Sequence, residues 1–330
     1  MNLRSLVASV LLILGVAGDA VAQGPVDRRP DKPTPRSGGR PTEMTARRGG
    51  GLDIDLRNLP RTPPTRREKP RRPKPQPSPV QLPGGPPAAA TLVPPTRQAP
   101  APAPAVSFSG LDFNNWGQGF PPDTVGDVGP NHYVQAVNTS IGIYDKTGTE
   151  LAAFSFDTFM SQSDLGNLCE TNNTGDPVVL YDSFEDRWVL SDFAFTWDAG
   201  GNIDNPAFQC FAVSKTGDPV SGGWNFYSIA FTDGLNDYPK LGVWPDGIYM
   251  SVNMFGFPAS GTFQGVKVLA LNKEQMYAGA ATAQVVSFDA GTGDFTLLPS
   301  NARLQTGTPP AGTPNYFVST WNYLNAISVY

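Results

Sequence analysis

Three features of this 330-residue chain predict an all-β fold of recurring four-stranded units, preceded by a segment that cannot build a core of its own. Every aromatic residue lies after position 104, the first being Phe108. From Ala105 onward, short runs rich in Val, Ile, Phe and Tyr are separated by Gly, Asp, Asn and Pro, the texture of antiparallel strands and tight turns. Finally, one nine-residue pattern recurs four times, as expected of an internally repeated architecture.

The recurrences are PNHYVQAVN from Pro130, EDRWVLSDF from Glu185, PDGIYMSVN from Pro245 and PNYFVSTWN from Pro314, with starts 55, 60 and 69 residues apart. Their fourth position is always large and apolar (Tyr133, Trp188, Ile248, Phe317) and their seventh is always small (Ala136, Ser191, Ser251, Thr320). Upstream of three windows lies a run entered by Asp: Asp123–Val125, Asp176–Leu180 and Asp237–Leu241. Downstream lie a third run (Ile141–Tyr144, Phe208–Val213, Val266–Leu271) and a fourth (Leu151–Phe156, Trp224–Phe231, Ala283–Phe288). Four strands at this period predict the blades of a β-propeller. A β-sandwich has turns at similar spacing but no reason to repeat its second strand four times. Three blades read as complete and a fourth reaches only Ile327–Tyr330, about three and a half in all, so the reading expects an apparently truncated domain. A single helix, Lys273–Ala280, is predicted.

The N-terminal third is different in kind. Arg4, the apolar run Leu6–Val16 and the small residues Ala20 and Ala22 have the layout of a secretory signal, with cleavage expected after Ala22. That run is too short for a membrane span, and no later stretch is apolar enough for one. A secreted, cell-surface or periplasmic location follows as an expectation. Residues 23–104, rich in Pro and Arg, read as a disordered basic tether. Contact with anionic cell-surface polymer and a plain solubilising spacer are its two readings. Within it, Gly51–Leu56 alternates apolar residues and reads either as a short docking element or as more of the same disorder.

Residues 24–104 carry 16 Lys and Arg against 6 Asp and Glu, whereas residues 105–330, the expected folded domain, carry 7 against 22. An acidic domain of this kind repels phosphate, so no nucleic-acid surface is expected on it. Cys169 and Cys210 are the only cysteines. Export favours a disulfide between them, two buried thiols being the alternative.

Phe120–Thr124 running into Gly129–Gln135, Gly175–Asp182 with Asp186–Trp188, and Asp237–Gly247 together resemble a recurrent family of exported bacterial propeller-like proteins. The resemblance covers most of residues 108–330. It implies export and a propeller continuing into further material, and it transfers no catalytic residue.

Chemistry is sparse. The sole histidine, His132, occupies a window position held elsewhere by Arg187, Gly247 and Tyr316, which marks a surface position rather than a catalytic one. No phosphate loop or dinucleotide fingerprint is present. Asp198–Asp204 faintly resembles a calcium loop, and a Gly- and Asp-rich hairpin tip explains it equally well. The Asp residues opening first strands (Asp123, Asp176, Asp237) and the Asn residues closing second strands (Asn138, Asn253, Asn322) should emerge together on one face. Three roles suit such a crown. The carboxylates could hold Ca²⁺ and the amides a glycan. Asp176 and Asp237 could serve a propeller glycoside hydrolase acting on extracellular polysaccharide. Or all of them could cap turns. The expected partner is an extracellular glycan or protein.

Overall fold

The computed structural model describes residues 40–65, 103–118, 121–257, 261–320 and 327–329. The signal segment and most of the tether, 66–102 included, lie outside the described residues, as does Asn322.

The first antiparallel sheet is a four-stranded meander, β2 (Val125–Val128), β3 (His132–Val137), β4 (Ser140–Asp145) and β5 (Glu150–Ser155). The second unit follows as β6 (Asn173–Asp182), β7 (Arg187–Ala194), β8 (Ala207–Ser214) and β9 (Trp224–Phe231). The third is β10 (Leu235–Trp244), β11 (Gly247–Phe255), β12 (Phe263–Leu271) and β13 (Thr282–Gly291). A last three-stranded sheet holds β14 (Leu298–Pro299), β15 (Phe317–Thr320) and β16 (Ile327–Val329). The all-β class and the four-strand period are therefore present, each predicted run overlapping a strand, although Asp123 and Thr124 precede β2 and Phe156 opens a helical turn.

Alternation along each second strand decides how the units pack. The fifth window position faces the next unit: Val134 joins a core with Val179 and Tyr181, and Val189 joins one with Ile248 and Met250. The fourth faces the unit before: Trp188 lies in the core shared with Val134, and Phe317 in the core shared with Tyr249. Both faces of a middle unit are thus buried, which explains why β6–β9 and β10–β13 read as nearly continuous apolar runs.

The second and third units are also joined into one sheet through a strand, β1 (Thr42–Leu52), in the order β10-β11-β12-β13-β1-β9-β8-β7-β6. This joining strand comes from the segment expected to be a tether. Its first half pairs with β13 (Thr42↔Ser287 to Arg47↔Thr282) and its second with β9 (Arg47↔Ser228 to Leu52↔Trp224). The expectation of continuous disorder over residues 23–104 therefore fails for this stretch, and the docking reading of Gly51–Leu56 holds. Absence of aromatics rules out a core made by the segment itself. It does not prevent Ala46, Leu52 and Leu56 from entering cores made by others. At the opposite edges β6 and β10 approach each other, and the nine-stranded sheet is nearly closed.

The predicted helix appears as α3 (Lys273–Tyr277). Two single turns, α1 (Phe113–Trp116) and α2 (Phe156–Met160), were not anticipated. Each is started by a side-chain cap, Asp112 accepting from Asn115 N–H and Ser155 from Thr158 N–H, and is too short to show a period.

Candidate functional site

The crown residues are positioned by backbone strain at the strand entries. Asp123 (φ 42°), Asp176 (φ 51°), Tyr238 (φ 55°) and Thr296 (φ 59°) take left-handed conformations that Asp tolerates far better than Tyr or Thr. Register fixes their equivalence. Asp123, Asp176 and Tyr238 each precede by two residues the partner of the small seventh window position (Val125↔Ala136, Val178↔Ser191, Lys240↔Ser251). The third-unit counterpart of Asp176 is therefore Tyr238, not Asp237, which lies one residue earlier, opposite Asn253. Both units carry the same register shift, and the second unit's hairpin is longer (Tyr181↔Trp188 against Val243↔Ile248), which offsets the two strand entries in sequence.

The side chains form a relay between units. Asn138 Nδ2 donates to Asp123 Oδ2 (2.7 Å) and to the Pro121 carbonyl (2.9 Å), while its Oδ1 accepts from Asp176 N–H (2.7 Å). Asp176 Oδ2 in turn accepts from Tyr238 N–H (3.1 Å). Asn253 Oδ1 accepts from Thr296 N–H (2.9 Å), and its Nδ2 donates to Thr296 Oγ1 (2.9 Å). Each left-handed amide after the first unit is thus capped by a side chain of the unit before it. Asp123, Asn138 and Asp176 come together as the sequence predicted; Asp237 and Asn253 form a separate cross-strand pair. In the second unit the window ends in Phe193 instead of Asn, and there Asp176 supplies the cap.

Three participants escaped the sequence reading. Gly175 (φ 130°) sits so close to Asn138 that a Cβ would lie 2.6 Å from Oδ1. Gln209 and Asn236, both fully buried, bond each other at 2.8 Å, and Gln209 Nε2 donates to Ser191 Oγ at 2.6 Å. Their signal was a polar residue in an otherwise apolar strand, which one sequence cannot separate from an outward-facing position.

The remaining candidates separate cleanly. Among the described residues no group of three or more His, Cys, Asp or Glu side chains is placed to hold a metal ion. Asp198 and Asn202 bond one another, Oδ1 accepting from Asn202 N–H (2.7 Å) and Oδ2 from its Nδ2 (3.0 Å), as in a hairpin tip. His132 opens β3 while Asn138 follows its end, about 20 Å away at strand rise. Burial lowers its pKa below 6.5, and its nearest carboxylate is Asp218 at 3.9 Å. It cannot serve the crown. The disulfide Cys169–Cys210 is formed, Cα atoms 5.6 Å apart, and ties the approach to β6 onto β8.

A second polar cluster centres on the buried side chains of Asp182 and Lys273. Lys273 Nζ, on α3, donates to Asp182 Oδ2 (2.9 Å), as does Tyr277 Oη (2.9 Å), while Asp182 Oδ1 accepts from Phe184 N–H. Every group is satisfied, which suits a staple between the second and third units.

Fold and site together define an all-β protein of repeated antiparallel units, joined by a polar relay along one rim. The chain matches no family model, no curated protein and no solved structure.

Proposed function

We propose that the domain is the propeller-type binding module of an exported protein, presenting its rim and inter-unit surfaces to an extracellular glycan or protein. One observation carries this reading. Asp123, Asn138, Asp176 and Asn253, among the side chains that a hydrolase or a calcium site would need, are hydrogen-bonded into the relay between units. Side chains so engaged hold a scaffold. Acid–base chemistry and cation ligation need carboxylate oxygens turned toward a ligand. Export is supported by the disulfide, which belongs to an oxidising compartment. Propeller closure is supported by the alternating burial that gives each middle unit two packed faces.

The test compares the purified chain with its Asp176→Asn and Asp237→Asn variants on a panel of extracellular polysaccharides, scoring retention and release of reducing ends separately. The expected result is no hydrolysis by any of the three. Turnover by the parent chain, lost in Asp176→Asn while sugar retention persists, would make the domain a glycoside hydrolase and end the scaffold reading. Thermal unfolding with calcium and with chelator should coincide.

A further inference from the structure

We propose that Lys273 and Asp182 condense with each other, so that an intramolecular amide bond made by the protein itself locks the third unit to the second. The proposal goes beyond the binding-module reading and does not depend on it.

The two reacting groups come from distant stretches of chain. Asp182 is the last residue of β6 and pairs with Arg187 across the turn that carries Phe184 and Glu185. Lys273 opens α3 in the next unit. Packing withdraws both side chains from solvent, Asp182 completely and Lys273 to 4 % exposure. Burial opposes a separated ammonium and carboxylate. Transfer of one proton from Nζ to Oδ2, along their 2.9 Å hydrogen bond, removes both charges. What remains is a neutral amine against a carboxylic acid, the two reactants of an amide condensation, held at the proximity that intramolecular reactions exploit.

The contacts of the carboxyl group are divided as that reaction needs. Oδ1 accepts from the backbone N–H groups of Phe184 (2.9 Å) and Glu185 (3.3 Å), two donors aimed where negative charge develops once Cγ becomes tetrahedral. Oδ2, the oxygen that must leave, receives Lys273 Nζ and Tyr277 Oη, each at 2.9 Å. Burial, reinforced by Asp182, raises the Tyr277 pKa well above 10.0, so the phenol stays protonated and remains a donor to that oxygen. Glu185 Oε1 lies 3.9 Å from Nζ at the half-exposed mouth of the cluster, placed as a base for the proton that the attacking nitrogen sheds. The Phe184 ring, its centroid 5.6 Å from Nζ, packs with Tyr277 against the core shared by the two units and shields the product from hydrolysis.

The step balances without a co-reactant. The Nζ lone pair attacks Cγ, and the carbonyl electron pair moves onto Oδ1. The nitrogen's proton passes through Glu185 to Oδ2. The Cγ–Oδ2 bond then breaks, the electron pair on Oδ1 re-forms the carbonyl, and Oδ2 departs as water. One amine and one carboxylic acid give one amide and one water, with nothing oxidised or reduced.

Mass spectrometry of the purified full chain, denatured and with its disulfide reduced, tests this. The expected mass falls short of that of the processed sequence by one water. A tryptic digest should yield one branched peptide joining the Asp182 and Lys273 segments, with no cleavage after Lys273. Lys273→Arg keeps the positive charge and should show the full mass. Glu185→Gln, at a half-exposed position, should lower the linked fraction of freshly purified protein at least about tenfold. Circular dichroism should show both variants folded. A parent chain of full mass, with Asp182 and Lys273 in separate linear peptides after prolonged incubation, would leave an ion pair only and overturn the proposal. A linked fraction undiminished in Glu185→Gln would overturn the role given to that carboxylate.

Discussion

Asn138 shows how much one side chain does here. It is 1 % exposed, joins Asp123 within its own unit to Asp176 of the next, and leaves no room for a side chain at Gly175. Asn138→Ala strands the Asp176 amide and the Pro121 carbonyl, which at the usual cost of unsatisfied buried groups should remove roughly 2–4 kcal/mol. Asn253→Ala should cost a similar amount at the junction with Thr296. Urea unfolding of both variants checks this, with lower midpoints and unchanged slopes expected. Tyr238 carries the relay into the third unit with a left-handed backbone, and Lys240 Nζ lies 3.2 Å from its ring centroid, a cation–π contact at a side chain 38 % exposed.

Strand β1 is the element whose role was hardest to foresee. It has few buried side chains, yet it pairs with the fourth strands of two units and leads into Leu56, which is 1 % exposed and whose amide donates to the Val220 carbonyl. Pairing with two partners removes two exposed sheet edges, each otherwise a site for unwanted strand addition. Leu56→Ala should cost about 3 kcal/mol, the usual loss for truncating a buried leucine. Chemical denaturation reads that loss. Limited proteolysis near residues 53–60, faster in the variant than in the parent, would locate it at the β1 segment.

Across the whole molecule, tyrosines tie stability to alkaline pH. Burial pushes Tyr144 and Tyr227 up to about 12, and burial with a neighbouring aspartate raises Tyr181, Tyr249 and Tyr277 as well. Their folded-state values exceed the ordinary 10.0, so the unfolded chain releases these protons first. The stability they contribute is fully present below pH 10 and is lost as pH rises through about 12. Tyrosinate absorbance should therefore lag the ordinary phenol titration and then rise together with loss of the β signal in circular dichroism. An early, uncoupled rise of most of the tyrosine signal would contradict the burial assigned to these rings.

The all-β class and the four-strand period were determined by sequence alone, which also favoured a Cys169–Cys210 disulfide over two buried thiols. Alternation, turn residues and recurrence at the fourth and seventh window positions are local properties that survive without a three-dimensional frame. Tertiary structure alone decided that residues 42–52 complete a sheet, because a strand needs partners more than a hydrophobic composition. It also decided that Tyr238 rather than Asp237 continues the rim, since strand pairing, not distance from the repeat window, sets the equivalence across hairpins of different length. Finally, it decided that the crown's oxygens cap neighbouring amides. Asp and Asn at strand ends bind cations, sugars or backbone equally well, and only the distance to the next unit's N–H selects among them.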